Sequence, residues 1–302
     1  MGRRARALER QPPIPPSLPA GRVVLVPGRG EVFVREQDGP AGGPAIVLLH
    51  GFTVSADLNW WTAYDALRDV GPVIAVDHRG HGRGLRSEEP FTLEGAADDV
   101  AGLLDVLGIR SAIVVGYSMG GPISMLLWQR HRHLVDGLVL EATALEWRAS
   151  RRERWMWKTI GVIEWFFRSR WSSSMVDRWL REAIDAQPEL GAHRAWFKAE
   201  LGRGDPRELG EAGRALGEYD ARPFAGDVDV PVAVVVTTRD RLVRPRKQRA
   251  LATATHARVV ELDGDHDVCW VKGEAFADAT RSAVRAVVDR ARPVRLVADG
   301  SS

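Results

Sequence analysis

Gly116-Tyr117-Ser118-Met119-Gly120-Gly121 joins an apolar, β-branched run, Ala112-Ile113-Val114-Val115, to a helix-like run, Ile123-Ser124-Met125-Leu126-Leu127-Trp128. A serine between glycines at a strand-to-helix turn is the G-x-S-x-G nucleophile elbow. So tight a turn strains the serine backbone, and side chains at Gly116 and Gly120 would meet the neighbouring strand and helix. The expected result is a Ser118 hydroxyl held above the end of a sheet, at the positive end of a helix.

The segments around the elbow alternate. Arg22-Val23-Val24-Leu25-Val26 and Glu31-Val32-Phe33-Val34-Arg35 flank Pro27-Gly28-Arg29-Gly30 and predict a hairpin. Ala45-Ile46-Val47-Leu48-Leu49 and Val73-Ile74-Ala75-Val76 predict buried strands, with a helix over residues 61–70 between them. Residues 93–107 predict an amphipathic helix, with Leu93, Ala96, Val100, Leu103 and Leu104 on one face. After the elbow come strand 138–140, strand 232–236, helix 248–254, strand 258–262 and helix 274–291. Apolar strands alternating with helices imply a mostly parallel sheet with helices on both faces.

A serine hydroxyl is a weak nucleophile until a base takes its proton, and that base needs a third group to orient it. Strand 232–236 runs into Thr237-Thr238-Arg239-Asp240, and strand 258–262 into Asp263-Gly264-Asp265-His266. Asp240 and His266 thus stand just past two strand ends, where active groups gather in parallel sheets. Glu141, at the end of strand 138–140, is a rival acid, as are Asp265 and Asp267. His50-Gly51-Phe52 follows another strand, and Asp77-His78-Arg79-Gly80-His81-Gly82 the next.

On these motifs the chain resembles the α/β-hydrolase superfamily from Arg22 to Ala291. The resemblance implies Ser118 as nucleophile, His266 as base and Asp240 as its orienting acid. It also implies an oxyanion hole made by the backbone N–H groups of Phe52 and Met119. No metal or cofactor is implied. One departure from the pattern is Arg83-Gly84, where the family often has a small hydroxyl residue; it reads as a loop variation. Serine at 118 argues against the epoxide hydrolases and haloalkane dehalogenases of the superfamily, which use an aspartate nucleophile.

The alternation breaks over residues 145–227, which read as a helical cap inserted between two core segments, 21–144 and 228–291. This stretch holds Trp147, Trp155, Trp157, Trp165, Trp171, Trp179 and Trp196, most of the chain's 11 tryptophans. Trp155, Trp157, Ile160 and Trp165 are the candidate pocket-lining residues, for an apolar substrate. Residues 1–20 form a basic, Pro-rich arm, read as a surface arm or disordered tail, and 292–302 a C-terminal tail.

The remaining features mostly exclude. A net charge of +2 makes no case for nucleic acid. No apolar run spans a bilayer, and none follows the basic N-terminus as a signal peptide requires. Cys269 is the only cysteine, which rules out intramolecular disulfides and fits a reducing compartment. The expected location is therefore cytoplasmic. His50, His78 and His81 lack metal-ligand spacing and read as loop scaffolding; His131 and His133 read as surface residues at a helix end. The expected protein is a cofactor-free serine hydrolase acting on a small-molecule carboxylic ester. Thioesterase, amidase or peptidase, carbon–carbon hydrolase and haloperoxidase chemistry are the alternatives within the fold, and a non-catalytic ligand receptor the alternative outside it. Oligomeric state is not legible.

Overall fold

Continuous runs of Val, Ile and Leu build the centre of the sheet, because strands covered on both faces need no polar alternation. The computed structural model describes residues 13–148 and 190–291. The strands are β1 (Ala20–Val26), β2 (Gly30–Gln37), β3 (Ala45–Leu49), β4 (Val73–Val76), β5 (Ala112–Tyr117), β6 (Val135–Glu141), β7 (Val232–Thr237) and β8 (Arg258–Leu262). They form one sheet in the order β1-β2-β4-β3-β5-β6-β7-β8. The β1–β2 and β2–β4 pairs are antiparallel and the rest parallel. The expected α/β fold and its N-terminal hairpin are both present.

Helices of the described residues are α1 (Ala56–Trp60), α2 (Tyr64–Leu67), α3 (Leu93–Val106), α4 (Gly120–Arg130), α5 (Leu190–Leu201), α6 (Pro206–Glu218), α7 (Pro245–Ala254), α8 (Val268–Val271) and α9 (Gly273–Ala291). α3 and α4 pack on one face of the sheet. α1, α2, α8 and α9 pack on the other. Along β5 the side chains alternate: Val114 faces the first layer, and Ile113, Val115 and Tyr117 the second.

Local chemistry sets the helix starts. Thr92 caps α3 by accepting from Gly95 N at 2.9 Å. Asp205 caps α6 and is followed by Pro206, whose missing N–H is harmless in a first turn. Pro245 likewise starts α7 three residues before the expected 248. In place of the helix expected over residues 61–70 stand two short helices, α1 and α2. Ser55 caps a start at Ala56, and Ala63 N turning back to Trp60 O at 2.8 Å separates α1 from α2.

Between β6 and β7, α5 and α6 are tied to the sheet's loops. Leu190, Trp196 and Phe197 of α5 pack with Val54, Leu58 and Trp270. Glu200 of α5 receives Arg83 Nη2 at 2.6 Å, and Arg83 Nη1 also reaches Asp57 at 3.2 Å. Asp205 N donates to Gly80 O at 2.8 Å, and Phe91 N to Glu211 Oε2 at 2.8 Å. Arg83 is thus more than a loop variation. Its guanidinium also lies over the Phe33 ring, 5.0 Å from the centroid.

Residues 13–19 of the Pro-rich arm lie against the protein. Pro19 O accepts from Arg35 Nη1 at 2.8 Å, and Ile14 O lies 2.9 Å from His193 Nδ1 of α5. The tails 1–12 and 292–302 and the stretch 149–189 fall outside the described residues. Trp155, Trp157, Ile160 and Trp165 lie in that stretch. Among the described residues no helix is long and apolar enough to cross a membrane.

Candidate active site

The sheet order places its switch point between β3 and β5, because β4 lies on the far side of β3. Parallel sheets open a crevice at such a point, beyond the carboxyl ends of the strands. The elbow closes β5 there. Ser118 has φ +52°, the left-handed region that a side chain enters only under strain. Packing around the turn holds it in place. A Cβ on Gly116 would stand 2.3 Å from Gly120 O, and one on Gly120 2.1 Å from Leu49 O. Ser118 N donates to Glu141 O at 2.8 Å, and Ser124 Oγ to Gly120 O at 2.7 Å.

β7 and β8 deliver the partners. His266 Nε2 lies 3.0 Å from Ser118 Oγ, and His266 Nδ1 lies 2.8 Å from Asp240 Oδ2. Ionised Asp240 only accepts, so Nδ1 carries the proton and Nε2 is left free to accept from the serine hydroxyl. Asp240 is itself buried and well satisfied. Its Oδ1 accepts from Leu242 N at 2.9 Å and Val243 N at 2.7 Å, and its Oδ2 from Thr237 Oγ1 at 2.8 Å. Gln248 of α7 holds this arrangement, with Nε2 2.7 Å from Thr237 Oγ1 and 3.2 Å from Asp240 Oδ2. Neither Thr237 nor Gln248 is conspicuous in the sequence, for nothing in their spacing marks them.

The rival acids stand elsewhere. Asp265 accepts from His266 N at 2.8 Å and Arg241 N at 2.9 Å, so it orders the loop backbone rather than the imidazole. Asp267 begins α8, its carbonyl accepting from Trp270 N at 2.9 Å. Glu141 is buried below the elbow, and among the described residues neither carboxylate oxygen makes a hydrogen bond of normal geometry. Burial pushes its pKa up to about 8, with partial relief from the Thr280 hydroxyl.

Phe52 and Met119 flank the serine from two loops. Gly51 packs on the elbow, so that a Cβ there would lie 3.4 Å from Ser118 Cβ, and Gly51 N is held by Asn59 Oδ1 at 2.9 Å. Thr53, next after Phe52, has φ +66°. Met119 stands at the N-terminal end of α4, where backbone N–H groups lack helical partners. Among the described residues neither the Phe52 nor the Met119 N–H donates to a protein acceptor.

The histidine-bearing loops are scaffold. His50 Nδ1 donates to Gly51 O at 2.8 Å, and its Nε2 accepts from His78 N at 3.0 Å, so the ring is neutral with both nitrogens engaged. Burial lowers the His78 pKa to about 3 and that of His81 to about 4. Asp77 accepts from Ala56 N at 2.7 Å and Arg83 N at 2.8 Å, and Arg79 pairs with Asp99 of α3 at 2.6 Å. These bonds position α1 and α3 and do not touch Ser118. His131 departs from its expected surface role, bridging α4 to Asp98 of α3 at 2.8 Å.

A family model described as the alpha/beta hydrolase fold matches residues 44–273. The chain belongs to the α/β-hydrolase family. Two curated relatives are pimeloyl-(acyl-carrier protein) methyl ester esterases of Neisseria meningitidis. The serogroup C protein is 30% identical over 247 residues, 80% of this chain and 94% of the relative. The serogroup A protein is 30% identical over 223 residues, 72% and 70%. Among solved structures, the enol-lactonase of Burkholderia xenovorans matches this α/β-hydrolase with TM-score 0.73 and 26% identity, over 87% of this chain and 100% of that one. A bromoperoxidase of Bacillus anthracis, at 18% identity and TM-score 0.74 over 88% of this chain and 100% of that one, shares the fold. The two esterases and the enol-lactonase support hydrolase chemistry for this family member.

Proposed function

We propose that this α/β-hydrolase is a cofactor-free serine esterase that cleaves a carboxylic ester of an apolar small molecule. One observation carries the reading: the unbroken hydrogen-bond chain from Ser118 Oγ through His266 to buried Asp240, at 3.0 and 2.8 Å. In this reading Ser118 Oγ attacks the ester carbonyl as its proton passes to His266 Nε2. Asp240 stabilises the imidazolium, which returns the proton to the departing alkoxide. The Phe52 and Met119 amides receive the oxyanion. Water, deprotonated by His266, then attacks the acyl-enzyme and frees Ser118. The methyl ester esterase relatives and the enol-lactonase neighbour are named for ester bonds, which favours an ester over an amide or carbon–carbon substrate.

Residues 145–227 are the proposed cap, and an apolar acyl or alcohol group its proposed guest. Support comes from the aromatic wall where α5 meets the His266 loop: Phe197 packs edge-on against Trp270, centroids 5.4 Å apart. Trp155, Trp157, Ile160 and Trp165 are proposed to add to that wall. The test is hydrolysis of a p-nitrophenyl ester series, from acetate upward, by wild type and Ser118→Ala. The variant should lose on the order of a million-fold in kcat, and kcat/KM should rise with acyl length. Turnover surviving in Ser118→Ala would refute the nucleophile, and kcat/KM that is flat or falling with chain length would refute the apolar pocket.

A further inference from the structure

Tyr117, the residue before the nucleophile, is the last of β5, and its side chain leaves the sheet on the α8–α9 face. Its ring is clamped edge-on by Phe276, centroids 5.7 Å apart, and by Trp60, centroids 6.3 Å apart. From that seat the hydroxyl donates to the backbone carbonyl of His266 at 2.7 Å, across 149 positions of sequence. Among the described residues this is the one donor to that carbonyl. The imidazole above it makes only two hydrogen bonds, to Ser118 and Asp240. The backbone of His266 is further pinned at its N–H by Asp265.

We infer that Tyr117 is a positioning residue: through its bond to His266 O, the strand that carries the nucleophile also fixes the base that activates it. The inference rests on the Ser118–His266–Asp240 reading proposed above. Its physical content is geometric. Ser118 and Tyr117 are consecutive, so one rigid strand end sets both ends of the 3.0 Å Ser118–His266 contact. Phe at 117 would keep the ring packing and delete this bond, together with the hydroxyl's contact with the Cys269 thiol. The His266 backbone would then rock on the Asp265 contact, and the imidazole would stray from both partners. Misplacement on the ångström scale is enough for roughly a hundred-fold loss of rate.

The charged and titratable groups around this pair are few. Ser118 and Asp240 face the imidazole. Glu141 from β6, Cys269 from α8 and Asp240 from the loop after β7 face the Tyr117 hydroxyl, and together with burial they hold its pKa well above the ordinary value. Tyr117 therefore stays protonated and donating at neutral pH.

The experiment is the pH profile of kcat/KM with p-nitrophenyl ester for wild type, Tyr117→Phe and Ser118→Ala, with Tm alongside. Tyr117→Phe is expected to lose about 10- to 100-fold in kcat with KM unchanged. Its acidic limb should move to lower pH, because a looser Asp240 contact stabilises the imidazolium less. Fluorotyrosine placed at 117 keeps ring and donor, and should restore both rate and limb. A Tyr117→Phe enzyme with lowered Tm but wild-type kcat and limb would overturn the inference, leaving Tyr117 a packing residue. Should Tyr117→Phe not fold, fluorotyrosine with a displaced limb or lost rate would overturn it equally. Activity surviving in Ser118→Ala would instead overturn the triad reading itself.

Discussion

Glu141 is a buried acid whose carboxyl finds, among the described residues, only partial relief from the Thr280 hydroxyl. It closes β6, its carbonyl holds Ser118 N, and its carboxyl is buried with a pKa of about 8. In the unfolded chain it titrates near its ordinary 4.5. Between these values the unfolded state releases a proton that the folded state keeps, so stability falls as pH rises from about 4.5 to about 8. The whole effect is on the order of 5 kcal/mol. Glu141→Gln should therefore match wild type in urea denaturation at pH 5 and exceed it at pH 9. Parallel stability curves for the two proteins would show that Glu141 keeps its charge when folded. Asp240 is the opposite case: buried too, but met by two backbone N–H groups, a hydroxyl and His266. That contrast separates the two carboxylates that the sequence placed in competition.

Among elements, α5 depends on ions rather than on apolar contact alone. Glu200 is buried and meets both Arg83 and Arg203, while Asp57, also buried, meets Arg35 and Arg83. Arg83 is the member shared by both acids, so it joins α5 to α1. Breaking a buried pair strands the remaining charge, at about 3–5 kcal/mol. Arg83→Ala should lie near the lower end, about 3 kcal/mol, because Arg203 and Arg35 remain. Urea denaturation measures the loss, and limited proteolysis should cut first within α5. Unchanged stability would mean the remaining arginines suffice. How much of this was legible follows from the kind of contact involved. The elbow strand, α3 and the ends of β7 and β8 could be read, because apolar periodicity and a glycine-bounded turn are local signals. Arg83 stood out as a departure, but its acid lies 117 positions away on a helix with no motif. The α1–α2 break, the Gln248 brace and the Tyr117–His266 bond were illegible for the same reason: each depends on which groups the finished fold brings together.

Across the whole molecule, the proposed site depends on convergence of three strand ends. Ser118 follows β5, Asp240 follows β7 and His266 follows β8, with β6 lying between the first two in the sheet. Phe52 comes from the loop after β3, on the other side of β5. No local segment contains the proposed reaction, which requires these distant residues to act on one bond. The most direct measurement is intact-mass spectrometry of the protein quenched in acid during turnover of a p-nitrophenyl ester, followed by peptide mapping. One acyl group is expected, carried on the peptide containing Ser118, absent from Ser118→Ala and trapped to higher occupancy in slow-deacylating variants. An acyl group on another residue, or on Ser118→Ala, would contradict the proposed reaction.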